Sequence, residues 1–139
     1  MKIKTLLVGL LLVCLLLPIV SLSCATEPPI KAMLGEQFSL PIGQTVDIVS
    51  QGLSIRFDAV TSDSRCPNGV ECVWAGEAKC RMIIKYHDTE TEVIFTQNGS
   101  SISQENFQDY LFSFQLGPYP QVGQEIEDSA YILVMIVAG

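Results

Sequence analysis

The sequence has little of what catalytic sites are usually built from, since it contains a single histidine, His87. His87 lies in a polar turn between two predicted strands, and no Gly-x-Ser-x-Gly motif accompanies it, so a serine hydrolase is not indicated. Two cysteines and one histidine also fall one ligand short of a zinc site of matching spacing. No phosphate-binding glycine loop and no EF-hand loop occurs. The sequence therefore predicts a protein that is not an enzyme and that needs no cofactor.

Basic residues are scarce as well, with eight Lys and Arg against 15 Asp and Glu. The formal net charge of −7 argues against binding to nucleic acid, and against binding to anionic lipid through charge. The partner class that remains open is a protein or another component of the cell envelope.

The sequence has one long apolar run, which occupies residues 6–20 behind Lys2 and Lys4. A basic start, an apolar run and the small residues that follow form the layout of a secretory signal, so we predict a signal peptide over residues 1–23. Ser23 precedes Cys24 and the run carries no charge, which favours a lipoprotein whose first residue is the lipidated Cys24. The localisation predicted is extracytoplasmic, with a lipid anchor in the membrane.

Two alternatives to the lipid anchor remain open from the sequence. Ordinary signal peptidase cleavage at the same small residues would give a freely secreted protein, and retention of the run would give an N-terminal transmembrane anchor. After cleavage, residues 24–35 form a Pro-containing tether and residues 36–139 form one domain. Removal of residues 1–23 takes away two of the eight basic residues and no acidic residue, so the mature charge is −9.

The mature chain shows period-2 alternation and no sustained helical period, which predicts an all-β domain. Apolar residues alternate with polar ones over residues 53–59, 80–86 and 110–116. Residues 131–137 are apolar throughout, which predicts a strand that is covered on both sides or is central in a sheet. Residues 97–108 are polar and predict a loop with one helical turn near its end. About seven short strands favour a β-sandwich of the immunoglobulin-like kind, with a small β-barrel as the alternative.

A segment containing two cysteines is the most informative part of the sequence. Cys66 and Cys72 flank five residues that include Pro67 and the pair Asn68-Gly69, which favour a tight turn. Outside the cytoplasm this pattern predicts a disulfide, and the five-residue gap is unlike the two-residue gap of redox motifs. Cys80 lies eight residues beyond Cys72, about 26 Å on an extended chain, so we expect Cys80 to be buried and free.

Trp74 follows the second cysteine of this pair and has two interpretations. Its position at the start of a predicted strand favours packing on the disulfide at one end of the sandwich. The alternative is an exposed anchor that binds a partner together with Pro67, Asn68, Gly69 and Val70. A secreted protease inhibitor is the alternative function, favoured if this turn meets residues 117–120 at one edge of the domain with exposed apolar side chains.

Residues 57–78 resemble a family of bacterial secreted proteins and lipoproteins. The shared features are an alternating strand, Asp-Ser-Arg-Cys-Pro, a short gap and Cys-Val-Trp-Ala-Gly. Residues 38–46 and 131–137 are similar more loosely, and Cys80 stands where the family has an apolar residue. The resemblance implies an exported domain and implies no activity. The prediction is therefore a noncatalytic β domain that serves as an interaction or structural module of the cell envelope.

Overall fold

The computed structural model describes residues 27–139, so the predicted signal peptide and Cys24 lie outside the described residues. The described chain forms nine strands and one 3₁₀ turn at Asp128–Ala130. The strands are β1 Ile30–Ala32, β2 Gln37–Pro41, β3 Thr45–Ile48, β4 Leu53–Asp63, β5 Glu77–Tyr86, β6 Thr89–Asn98, β7 Ser103–Phe107, β8 Tyr110–Gly117 and β9 Ile132–Ala138. Over these residues, no helix is both long and apolar enough to cross a membrane.

The strands form two sheets. Sheet A has the order β1-β3-β4-β5-β6, in which β1 and β3 are parallel and the other neighbours antiparallel, and sheet B has the order β2-β9-β8-β7. The two sheets of residues 27–139 pack face to face and do not close into a barrel, which confirms the predicted β-sandwich. The strand order differs from that of an immunoglobulin domain. In an immunoglobulin domain the third strand crosses to the second sheet, whereas here β3 to β6 all lie in sheet A.

The core lies between the sheets and follows from the alternation in the sequence. One side of each long strand faces the opposite sheet, so every second residue of β5 and β8 is buried. Phe95 of sheet A contacts Phe112 and Phe114 of sheet B at centroid distances of 5.2 Å. Cys80 belongs to this core and is free, as predicted. Burial raises the pKa of its thiol to about 12, so the thiol stays protonated at neutral pH.

Two segments differ from the sequence prediction. β1 lies within the predicted tether, pairs with β3 and buries Ala32, so the domain begins at β1 and not at residue 36. The predicted loop 97–108 contains β7 and no helical turn. Its polar composition reflects the position of β7 at the edge of sheet B, where alternate side chains face water.

β9 is central in sheet B, between β2 and β8, as its apolar sequence predicts. Only its inner side chains are covered, because within residues 27–139 no third layer packs over sheet B. The outward residues Ile132 and Val134 keep 40% and 36% of their surface exposed.

Candidate functional site

The connection between β4 and β5 is a long loop whose base continues the hairpin pairing. The Ser64 N–H donates to the Glu77 carbonyl and the Cys66 N–H donates to the Ala75 carbonyl, each at 2.8 Å. Gly76 takes a φ of +72°, and a Cβ at this position would lie 1.9 Å from the Ser64 oxygen. Only glycine fits so close an approach in this conformation.

A disulfide between Cys66 and Cys72 closes this loop, as predicted, with 5.9 Å between the two Cα atoms. We refer to residues 67–74, which lie between the first cysteine and the paired base, as the tip. In the chain-entropy model, closing so short a loop stabilises the fold by about 2 kcal/mol. The disulfide and the paired base together hold the tip in one arrangement.

A buried ion pair lies beneath the tip. The side chain of Arg65 is 2% exposed, and it donates from Nε and Nη2 to the two carboxylate oxygens of Asp63 at 2.9 and 2.6 Å. Nη1 donates to the Leu116 carbonyl at 2.7 Å, and Nη2 donates to the Pro118 carbonyl at 3.0 Å. The guanidinium lies 5.1 Å from the centroid of the Tyr119 ring. Arg65 therefore ties the base of the tip in sheet A to the end of β8 in sheet B.

The ion pair also fixes the charge state of the groups around it. Burial alone would raise the pKa of Asp63, but the hydrogen bonds and the positive charge of Arg65 outweigh it and lower that pKa below its ordinary value of 3.8. The Tyr131 hydroxyl donates to the Asp63 carboxylate at 3.1 Å. Burial, followed by the nearby Asp63 charge, raises the pKa of Tyr131 to about 12. Asp63 and Arg65 pair with each other and serve as the foundation of the tip.

The tip meets a second loop, residues 117–122, at the same edge of the sandwich. The Asn68 N–H donates to the Pro120 carbonyl at 2.9 Å, and Asn68 forms an isolated parallel bridge with Gln121. This is the arrangement on which the inhibitor alternative depends. The two loops support each other through backbone hydrogen bonds, so their position does not depend on the side chains that they display.

Four large apolar side chains of these loops point into solvent. Val70 is 49% exposed, Val73 107%, Trp74 62% and Val122 55%. Single exposed apolar residues are ordinary, whereas several on one small, braced surface are uncommon. Of the predicted partner-binding residues, Asn68, Gly69, Val70 and Trp74 are exposed and Pro67 is half-buried.

The interpretation of Trp74 as a core residue is wrong. That interpretation placed Trp74 at the start of a strand, but β5 begins only at Glu77, after Gly76 has turned the chain. The end of the sandwich is closed instead by Arg65 and Tyr131, which are 2% and 6% exposed. Because these two side chains fill the end of the core, the Trp74 side chain lies on the surface.

Two residues of the exposed surface were not found from the sequence. Val73 directly precedes Trp74, and the strand that the sequence predicts at Trp74 conceals the exposure of both residues. Val122 belongs to the turn signal Val-Gly-Gln, whose Gly123 does take a positive φ of +74°. The exposure of both residues could be predicted from one sequence feature. Each is an apolar residue within a turn, where no sheet can cover it.

A shallow cleft of about 390 Å³ lies beside the tip. Its floor contains the Asp63–Arg65 pair and Tyr131, and acidic side chains of the loop that leads to β9 stand at its rim. The lining residues are Val60, Asp63, Arg65, Pro67, Pro120, Gln124, Glu125, Ile126, Asp128 and Tyr131. Glu71, Glu125, Glu127 and Asp128 are exposed around this end of the domain, while Arg65 is buried and neutralised. The surroundings of the apolar tip are therefore acidic.

The only histidine of the sequence is remote from this surface. His87 donates its backbone N–H to the Gly52 carbonyl, in the turn that precedes β4, whereas the tip follows the other end of β4. Within residues 27–139, no group of three or more His, Cys, Asp or Glu side chains is placed to hold a metal ion. What the exposed end offers is a preformed apolar contact surface with an acidic border.

Comparisons of the chain with protein-family models, with curated proteins and with solved structures give no match.

Proposed function

We propose that the protein is a noncatalytic, extracytoplasmic interaction module that binds a protein partner through its tip. The observation that carries the proposal is the cluster of exposed apolar side chains, Val70, Val73, Trp74 and Val122, on loops that are braced by a disulfide and a buried ion pair. Aromatic and aliphatic side chains of this kind are the usual anchors of protein interfaces. A braced loop loses little conformational entropy when it binds, which favours affinity.

The charge around the tip supports a protein partner over two other classes. The exposed carboxylates at this end repel the phosphates of nucleic acid and the headgroups of anionic lipid. A protein pocket that is apolar at its centre and basic at its border complements the same surface.

An extracytoplasmic location is part of the proposal and rests on the sequence. The three-part N-terminus and Ser23-Cys24 support export and lipidation at Cys24, and a disulfide persists in oxidising compartments. Intact-mass measurement of protein extracted from membranes tests the anchor. A mature chain that begins with an acylated Cys24 is expected, and a mature chain that begins at Ala25 or later would contradict the lipid anchor.

A second candidate is a secreted protease inhibitor, in which the tip enters the cleft of an endopeptidase. The specific observation in its favour is the bridge between Asn68 and Gln121, which joins the two loops at one edge. In this candidate the fully exposed Val73 is the side chain that fills the specificity pocket. Inhibition of endopeptidases that cleave after aliphatic residues, lost in Val73→Asp, would support it. Unchanged proteolysis at a large excess of the protein would contradict it.

Site-specific photo-crosslinking in the native host tests the main proposal. A photoreactive amino acid replaces Trp74 in one variant and Val49 in the control, since Val49 is 45% exposed at the opposite end of the domain. We expect one protein adduct at position 74 that is absent at position 49. Added wild-type protein should compete with the adduct, and Val73→Asp protein should not. The proposal fails if position 74 gives no adduct, or gives the same adducts as position 49.

A further inference from the structure

The outer face of sheet B carries no charged side chain among its paired residues. One central row runs across all four strands. It consists of Gln37 of β2, Ile136 of β9, Ser113 of β8 and Gln104 of β7, each paired with the next. Opposed residues of antiparallel strands project from the same side of a sheet, so each row can be assigned to one face. The flanking rows contain the remaining outward residues, Ser39, Pro41, Asn106, Leu111, Gln115, Gly117, Ile132, Val134 and Ala138.

The outer face of sheet A is the internal comparison, and it carries a charged residue on each of its five strands. Arg81 forms an ion pair with Asp58 at 2.7 Å, and Lys85 lies opposite Glu90 on the neighbouring strand. Lysine, arginine and acidic residues also occupy other outward positions of this sheet, among them Lys31, Asp47, Arg56 and Glu92. Two faces of one domain, in contact with the same solvent, therefore differ completely in charge.

The uncharged face is also apolar along its centre. Ile132 and Val134 of β9 are 40% and 36% exposed, and the neighbouring Ile102 is 68% exposed. A shallow hollow of about 200 Å³ lies beside Val134 and Ile102, lined by Gln37, Ile102, Ser113, Phe114, Gln115, Val134, Met135 and Ile136. The solvent-facing side of a strand in such a sheet normally carries polar and charged residues. The outward residues of β9 are all apolar.

We propose that this face binds the same face of a second copy of the chain, forming a two-fold symmetric dimer. Each copy has a formal net charge of −7, so two copies repel wherever their charged surfaces approach. The outer face of sheet B is a surface on which like-charged copies can meet without burying a charge. A different protein could not recognise this face through charge, because the face carries none. A two-fold symmetric interface needs only a patch that is complementary to itself.

The size of the face sets the strength expected of such a dimer. Four strands at about 4.8 Å spacing and seven residues at about 3.4 Å give a footprint of roughly 450 Å² on each copy. The area buried by two copies is then near the lower limit for a specific interface, about 1,000 Å². The dimer should accordingly be a reversible one that dissociates in the micromolar range. Packing two sheets face to face repeats, between copies, the arrangement found inside each domain.

Sedimentation velocity of the full chain in detergent tests the dimer, with four proteins compared over a dilution series. Val134→Glu places a carboxylate on β9, a central strand of the face, in both copies. Gln37→Glu adds the same charge with almost no change of shape, and it keeps the test valid if Val134→Glu fails to fold. Ile94→Glu is the matched control, because Ile94 is an exposed apolar residue, 44% exposed, on the outer face of sheet A.

We expect the wild type and Ile94→Glu to show the same monomer–dimer equilibrium. Val134→Glu and Gln37→Glu should raise the dissociation constant by about tenfold or more, since each dimer then buries two unpaired charges. A wild type that stays monomeric over the series would overturn the proposal. Association that all four proteins share equally would also overturn it, because the contact would then lie elsewhere in the chain. Neither result bears on the tip, which photo-crosslinking tests separately.

Discussion

Replacement of Arg65 by alanine should destabilise the domain more than any other single removal of a charge. The guanidinium is buried and donates to both carboxylate oxygens of Asp63 and to the carbonyls of Leu116 and Pro118. Arg65→Ala leaves a largely covered carboxylate and two carbonyl oxygens without this donor. Breaking a buried ion pair from one side costs about 3–5 kcal/mol. For a domain of this size, a loss of about 4 kcal/mol lowers the melting temperature by about 15 °C.

Urea unfolding at neutral pH, followed by circular dichroism with the disulfide intact, measures this loss. Arg56→Ala is the matched control, because the Arg56 side chain is 51% exposed and makes one ion pair with Asp58 at 3.3 Å. Such a surface pair contributes at most about 1 kcal/mol. If Arg65→Ala lost no more stability than Arg56→Ala, the argument that the ion pair is the foundation of the tip would be refuted.

The pH dependence of the stability difference between wild type and Arg65→Ala provides an independent test of the ion pair. The pKa of Asp63 is lowered in the folded protein, so the stability supplied by the ionised pair is present above 3.8, the ordinary pKa. This stability is lost as the pH falls below 3.8 and through the lowered folded value. The difference in unfolding free energy between wild type and Arg65→Ala should therefore be constant near neutral pH and should shrink at lower pH. A difference that grows on acidification would contradict the assignment.

Further predictions concern the tip and the core. Trp74→Ala should lower the free energy of unfolding, measured by urea titration, by no more than about 0.5 kcal/mol, because Trp74 is exposed; a loss near 3 kcal/mol would show that Trp74 is a core residue. Gly76→Ala should cost more than about 3 kcal/mol because its Cβ would overlap the Ser64 carbonyl, whereas Gly35→Ala, with nothing within 4 Å, should cost about 1 kcal/mol for its positive φ. Reducing the disulfide should lower the unfolding free energy by about 2 kcal/mol while circular dichroism of the sheets stays unchanged. Cys80 should react with a thiol reagent only on unfolding, as followed by the rate of labelling, because it is buried and its pKa is about 12.

The sequence predicted the sandwich because its strands alternate strictly, and alternation is a local property that the chain displays directly. The disulfide and the burial of Cys80 could be predicted for the same reason, from spacing along one segment. The strand order could not be predicted, since pairing between β2 and β9 joins residues about 100 positions apart and leaves no local mark. Asp63 and Arg65 are close in sequence, but the hydrogen bond from Arg65 to the Leu116 carbonyl depends on that same long-range packing.

The error at Trp74 has a physical cause of the same kind. Alternation behind a cysteine predicts a strand from Trp74, but Gly76 takes a positive φ and the strand begins three residues later, at Glu77. Burial of a large aromatic is the usual outcome, so sequence alone favoured the core. What decides the matter is that Arg65 and Tyr131 already occupy the space, and both come from positions that the local pattern does not connect.

The separation of the tip from its base has a consequence for how the protein can change. The base is held by backbone hydrogen bonds, by the disulfide and by Arg65, and the side chains displayed by the tip are not part of the core. Residues such as Val70 can therefore be exchanged for others at little cost in folding, as can Val73 and Trp74. The domain is in this respect a display scaffold, on which selection or a laboratory library could retarget recognition by rewriting a few adjacent codons and leaving both sheets intact.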